Sequence, residues 1–184
     1  MNFKQSPLLG AFMVELEPHV DERGFFARSF CEMEFERMGL PTHFPQSNLS
    51  RNVTKGTLRG MHYDALPSKE SKVVRCVSGS IYDVIIDLRR ESTTRWQWFG
   101  IELSGETGAA LFIPPGFAHG FITLADRTDV LYQMGDVYRP ASSRGLRYND
   151  RFFGIRWPID PKIISGRDRD YLDFDPTGFD DQQK

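Results

Sequence analysis

Short apolar stretches with polar positions between them recur along this chain, and turn-forming residues separate one from the next. From Ile81 to Leu88, Tyr82, Val84, Ile86 and Leu88 share one face of an extended segment, with Asp83 and Asp87 on the other. Val73-Val74-Arg75-Cys76-Val77 precedes it, and Ser78-Gly79-Ser80 between the two reads as a hairpin turn. Trp96 to Leu103 predicts another strand, with Gly105 to Gly108 as the turn after it. Leu111-Phe112-Ile113, Gly120 to Leu124 and Val130 to Met134 continue the pattern. The best helix candidate is short, Ser29 to Met38, with Phe30, Met33, Glu34 and Met38 at mixed spacing. Tandem short strands punctuated by Gly and Pro predict a mainly β fold, a sandwich or barrel, rather than an α/β one. There is no internal repeat and no linker, so residues 1–184 are expected to form a single domain. The tail from Asp173 onward is polar and acidic, and its last residues are expected to fray.

Composition narrows the function classes. The formal net charge is −2 with 26% charged residues, which gives no basic surface for nucleic acid or for an anionic membrane. Fifteen Phe, six Tyr and three Trp favour strands and an aromatic-lined cavity. Cys31 and Cys76 alone do not make a disulfide framework. The opening residues, Met1 to Pro7, lack the apolar core of a secretory leader, and no run reaches the ~20 apolar residues of a membrane span. The expectation is a soluble, cytoplasmic protein.

Candidate chemistry concentrates in Gly56-Thr57-Leu58-Arg59-Gly60-Met61-His62-Tyr63. Arg is suited to clamping a diphosphate and His to carrying a proton near neutral pH. On a regular strand Arg59 and His62 would point to opposite faces, so bringing them together needs a bulge or bend near Gly60. A second segment, Pro114-Pro115-Gly116-Phe117-Ala118-His119-Gly120-Phe121, is a rigid turn delivering His119 to an aromatic strand. Pro-x-Gly-x-x-His resembles the second motif of the cupin superfamily, a double-stranded β-helix or jelly-roll. Gly56 and His62 have the spacing of the first cupin motif, whose usual second histidine is Asp64 here. A metal-dependent cupin would use His62, His119 and a carboxylate from Asp64 or Glu70.

Taken together, the chain resembles the nucleotide-sugar 3,5-epimerases, the dTDP-4-dehydrorhamnose 3,5-epimerase family. The matching elements run in order along most of it. They include Asp21 to Phe26, Gln46-Ser47-Asn48, Lys55 to Tyr63, Lys72 to Arg75 and Ile113 to Phe121. Leu131-Tyr132, Asp136 to Tyr138, Arg144-Gly145, Tyr148 to Asp150 and Gly154 to Pro158 complete them. The resemblance implies a cupin-like jelly-roll, a homodimer, no cofactor and no metal. Its reaction inverts C3 and C5 of a 4-keto-6-deoxyhexose attached to dTDP, by enolisation and reprotonation from the other face.

By resemblance His62 is the base, Asp168 the carboxylate that pairs with it, Lys72 the cation that stabilises the enolate and Tyr132 the acid. A double reaction is the reading that Tyr132 favours. Arg23 and Arg59 match diphosphate contacts, and Tyr138 the aromatic on which thymine stacks. Gln46 and Asn48 would bond to the nucleotide and His119 would contact the sugar, with Arg167 also in the binding set. Without the resemblance Asp168 reads as a helix or turn cap and Lys72 as an exposed strand lysine. His119 then reads as a buried histidine satisfying loop carbonyls. Two positions depart from the family: Arg28 and Ser143 stand where it usually has Glu. Both are expected at the nucleotide end, where exchanging an acceptor for a donor alters which nucleotide is preferred.

Overall fold

The computed structural model describes residues 1–182. The chain opens with β1 (Asn2–Gln5), β2 (Phe12–Glu15), a small ribbon of β3 (His19–Asp21) and β4 (Gly24–Phe26), and helix α1 (Glu32–Arg37). The central run is β5 (Gln46–Asn52), β6 (Thr57–Asp64), β7 (Lys72–Ser78), β8 (Ser80–Asp87), β9 (Trp98–Ser104), β10 (Ala110–Ile113), β11 (Phe117–Thr123) and β12 (Thr128–Met134). It closes with β13 (Ser143–Gly145), β14 (Ile163–Ile164), α2 (Gly166–Arg169) and α3 (Phe179–Gln182). One sheet has the order β1-β2-β10-β7-β12-β5, the other β13-β6-β11-β8-β9, with β14 added in parallel to β6. The two sheets form the expected mainly β, cupin-like jelly-roll sandwich.

Alternation along the strands explains three apolar layers. Val74, Cys76, Leu111, Ile113 and Val130 from the first sheet meet Ile81, Ile85, Leu103, Phe117 and Phe121 from the second in one buried cluster. The opposite face of the first sheet, through Val14, Val73, Ala110 and Phe112, is covered by Phe35 of α1 with Phe3, Phe12, Phe30 and Phe44 around it. The opposite face of the second sheet, through Met61, Tyr63, Val84 and Ile86, is covered by Leu146, Phe153, Phe174 and Phe179. Each fully buried Leu, Ile or Phe side chain contributes about 1.5–3 kcal/mol. Most of the phenylalanines are therefore spent on the two outer layers rather than on a cavity.

Two expectations need correction. Ser78-Gly79-Ser80 does not make a hairpin: β7 and β8 lie in different sheets, and Gly79, at φ +73°, is where the chain crosses between them. The gap is tight, since a Cβ at Gly79 would sit 2.4 Å from Thr128 Oγ1. The helix is shorter than Ser29 to Met38, because Cys31 precedes it without a capping side-chain bond and Met33 faces solvent. The acidic tail is anchored as far as α3: Phe174 N–H donates to Asp150 at 2.6 Å, and Phe179 is buried against Tyr63 and Trp96. The fraying expected of the last residues, Gln183 and Lys184, falls outside the described residues. No helix among the described residues is long and apolar enough to cross a membrane.

Candidate active site

A cavity of about 350 Å³ opens between the two sheets, and most of the expected site residues line it. His62 and Arg59 come from β6, His119 and Phe121 from β11, Lys72 from β7, and Tyr132 and Asn48 from the paired strands β12 and β5. Tyr138, Ser143 and Arg167 complete its rim.

The bulge expected near Gly60 is present and explains how Arg59 and His62 share one cavity. In the pairing of β6 with β11, His62 stands opposite His119 and Arg59 opposite Phe121, so one strand carries an extra residue. Gly60 has φ +105°, and a Cβ there would lie 2.7 Å from both Gly120 Cα and His119 O. Only glycine fits this crossing.

The same bulge frees the Gly60 N–H, which donates to Asp168 Oδ2 at 3.1 Å. Asp168 Oδ1 lies 2.7 Å from His62 Nε2. The parallel pairing of β14 with Thr57 and Leu58 brings α2 to this spot, and Ser165 caps it by accepting from Asp168 N–H at 3.0 Å. Asp168 is thus inside a capped helical turn, yet its carboxyl is committed to the site. Burial alone would raise its pKa, but the bonds from His62, Gly60 and Ser165 outweigh that and hold it below the usual carboxylate range. A carboxylate only accepts, so Nε2 carries the proton and Nδ1 is left as the basic nitrogen.

Facing this dyad from the other sheet is Tyr132. Burial raises its phenol strongly, Asp83 adds to this, and Arg59 opposes it, so the hydroxyl keeps its proton at physiological pH. Lys72, adjacent on β7, is not an exposed strand lysine: its side chain is 13% exposed and Nζ lies 3.0 Å from Glu70 Oε1. His119 is buried, and its Nε2 meets a carboxylate, Asp83 Oδ1, at 2.7 Å rather than loop carbonyls. Arg59 Nε donates to Asn52 Oδ1 at 2.8 Å and Arg167 Nη2 to Ser143 Oγ at 3.1 Å. Neither guanidinium is paired with a carboxylate among the described residues, so both present their charge to the cavity.

Other expected residues lie elsewhere. Gln46 does not line the cavity; its Oε1 accepts from Tyr138 N–H at 2.8 Å and so holds the loop that carries the tyrosine. Arg23 is on the β3–β4 ribbon, bonded to Asp21 and 85% exposed. Arg28 follows that ribbon, 3.5 Å from Glu34, and is likewise outside this chain's cavity. Of the two departures from the family pattern, only Ser143 is at the site. Asp83 and Asn52 were not identified as site partners from sequence, and Asp64 and Glu70 only as carboxylates of a metal-dependent alternative. For Asp83 the signal was a charge within the largely apolar β8, whereas Asn52 is on the mostly polar β5 and carried none.

A metal centre is not supported by the donor set. No three His, Cys, Asp or Glu side chains among the described residues are grouped to hold an ion.

Comparison with known proteins agrees with this arrangement. The sequence model of the family described as dTDP-4-dehydrorhamnose 3,5-epimerase matches residues 5–175. A dTDP-4-dehydrorhamnose 3,5-epimerase of Methanothermobacter thermautotrophicus is 41% identical, covering 92% of this chain and 92% of that protein. One from Shigella flexneri is 38% identical, covering 91% and 93%. Among solved structures, the Bacillus anthracis enzyme with TDP and PPi bound has a TM-score of 0.90 at 35% identity, covering 94% of this chain and 99% of that one. The Legionella pneumophila enzyme in complex with dTDP-4-keto-L-rhamnose has a TM-score of 0.85 at 37% identity, covering 91% and 89%. The chain belongs to the dTDP-4-dehydrorhamnose 3,5-epimerase family.

Proposed function

We propose that the protein inverts C3 and C5 of dTDP-4-dehydro-6-deoxyglucose, giving dTDP-4-dehydro-L-rhamnose, without a cofactor. The observation that carries this reading is the placement of a base and an acid on facing sheets. The His62–Asp168 dyad is on one side of the cavity and the Tyr132 hydroxyl on the other.

Both inverted carbons flank the C4 ketone, so their protons are weakly acidic. His62 Nδ1 takes the proton, the C–H electron pair moves toward the ketone, and the oxygen becomes an enolate. Lys72 stabilises that oxyanion, and Asp168 stabilises the imidazolium. When Tyr132 O–H returns a proton to the opposite face, the configuration is inverted. The imidazolium and phenolate then re-equilibrate through solvent, which resets the site for the second carbon. The unpaired guanidiniums of Arg59 and Arg167 suit the diphosphate, and exposed Tyr138 at the rim suits the nucleobase. Asn48 offers a hydrogen bond to the nucleotide, and His119, held by Asp83, one to the sugar.

Arg23 enters this reading through a homodimer, in which the ribbon of one protomer approaches the cavity of its partner. The exposed Val20, Phe25 and Phe26 of the ribbon support such a contact. The test is proton NMR of the protein with dTDP-4-keto-6-deoxyglucose in D2O. Deuterium uptake at both C3 and C5, abolished in His62→Ala, is the expected result. Uptake at one carbon alone would reduce the reading to a monoepimerase, and none at either would overturn it.

A further inference from the structure

β13 pairs with the edge of β6, which sets Ser143 opposite Asp64 and Gly145 opposite His62. Ser143 and Gly145 share one face of this short strand, since side chains alternate along it. The segment that carries Asp168 rests on that face at two points. Arg167 Nη2 donates to Ser143 Oγ at 3.1 Å, and the ring of Tyr171 is seated on Gly145. The fit there is close: a Cβ at Gly145 would overlap the phenol ring, and the three atoms nearest to it all belong to Tyr171. Arg167 Cζ lies 5.9 Å from the centroid of the same ring, within the reach of a cation–π contact. The Tyr171 hydroxyl is buried and has no hydrogen-bond partner among the described residues, so the ring makes these contacts. Beyond it the chain turns outward: Arg169 and Asp170 pair with each other at the surface, and Leu172 is exposed.

We propose that Tyr171 is a positioning residue: its ring, seated on Gly145, keeps Arg167 at the cavity rim and Asp168 against His62. A single helical turn such as α2 is too short to hold itself in water, so its place depends on what it is docked to. On one side β14 docks it by pairing with β6, and on the other Tyr171 docks it on β13. Asp168 lies between these two anchors, bonded to His62 Nε2 and to Gly60 N–H. Gly145 is the residue paired with His62, so the ring sits on the very strand position that neighbours the imidazole. The contacts are structural, while their effect on turnover rests on the roles of Arg167 and the dyad given under Proposed function.

The experiment combines two measurements on the intact protein. Proton–nitrogen correlation NMR of the histidine rings, at alkaline pH and without substrate, reads the tautomer of His62. The Nε2–H form is expected in the wild type and in Tyr171→Phe, and a mixture of tautomers in Tyr171→Ala. In steady-state kinetics Tyr171→Phe, which keeps the ring, should hold kcat and KM within about twofold of wild type. Tyr171→Ala should raise KM about two- to fivefold, as expected for one exposed cation–π contact, and lower kcat about ten- to a hundredfold through the displaced dyad. Gly145→Ala pushes the ring off its seat and should lower kcat by about tenfold or more. Added to Tyr171→Ala, the same methyl should cost less than about twofold, because the ring it would strike is gone. A wild-type tautomer in Tyr171→Ala, or an equal cost of Gly145→Ala in both backgrounds, would overturn the proposal. So would a Tyr171→Phe variant that behaves like Tyr171→Ala. If Tyr171→Ala does not fold, Gly145→Ala decides in its place, and a wild-type tautomer there would overturn the proposal equally. A wild-type protein that turns over no substrate would refute the proposed reaction, while the tautomer measurement would still decide whether Tyr171 holds Asp168 at His62.

Discussion

His62 and Asp168 are 106 positions apart in the chain and meet at 2.7 Å, with the second oxygen of Asp168 held by the backbone of the bulge that aims His62. One carboxylate thus fixes both the tautomer of His62 and the strand distortion that delivers it. Asp168→Asn keeps the shape but turns one of the two accepting oxygens into an amide donor, so Gly60 N–H and His62 Nε2–H no longer each have an acceptor. The expected result is a kcat loss of roughly 10²–10⁴-fold with little change in KM, since orientation of the imidazole matters chiefly in the transition state. Steady-state kinetics checks this, and a loss confined to KM would place Asp168 outside the proton-transfer machinery.

Gly60→Ala tests the bulge separately. The new methyl would meet Gly120 and the His119 carbonyl at 2.7 Å, at a φ of +105° that L side chains avoid. Strain alone costs about 1–3 kcal/mol, and the strand must shift besides. The expected outcome is a lower urea midpoint together with a fall in kcat. Gly154→Ala is the control, with φ +58° and open space around it. It should lose about 1 kcal/mol and keep full activity.

Much of this arrangement is legible in the sequence, and the exceptions share a physical cause. Strand alternation, the need for a bulge beside Gly60 and the turn before His119 are local properties, and all are present. Ser78-Gly79-Ser80 has the same turn chemistry whether the flanking strands pair or part. What decides is which sheet has room for β8, and that is set by residues far away. The polar tail hides two anchors, Phe174 and Phe179, whose partners Trp96 and Phe153 lie on distant elements. Alternation puts Asp83 on one face of β8 without saying which face is buried; that face, shared with Ile81 and Ile85, points into the sandwich, and Asp83 is buried against His119. Arg28 illustrates the converse, a position aligned with the site in sequence that lies outside the cavity of its own chain.

Tyr132→Phe separates proton removal from proton return. His62 and Asp168 remain, so deuterium exchange from solvent should continue at a reduced rate. Inverted product should fall by roughly 10²-fold or more, since a general acid contributes on that order. NMR in D2O reads both quantities in one sample. Equal losses of exchange and of inversion would make Tyr132 a binding residue instead.

Asp87 provides a pH test of stability away from the cavity. It is fully buried, and burial would raise it, but bonds from Arg89, Ser92 and Thr94 prevail and lower its pKa. A carboxyl whose folded pKa lies below its unfolded value of about 3.9 stabilises the fold above that pH. That contribution is lost as the pH falls through the folded value. Asp87→Asn should therefore be less stable than wild type by about 1–3 kcal/mol at pH 7. The gap in urea midpoints should narrow below about pH 4, as the wild-type carboxyl takes up its proton. A gap independent of pH would mean that packing, not charge, accounts for the loss.

Arg167 and Ser143 together test the nucleotide end. The guanidinium is bonded to a hydroxyl rather than a carboxylate, so its charge is available to a diphosphate. Arg167→Ala should raise KM by about tenfold, leave kcat near wild type and weaken the dependence of KM on salt. Because Arg167 precedes Asp168, an accompanying fall in kcat would reveal damage to the dyad instead. Ser143→Glu places a carboxylate where the hydroxyl now stands, and an exposed pair of this kind is worth about 0.2–1 kcal/mol. Its KM should accordingly fall between wild type and Arg167→Ala, with the difference shrinking as salt screens the new pair. A KM at or below the wild-type value would show that Arg167 does not act through free charge, and that Ser143 reads the nucleotide by a different contact.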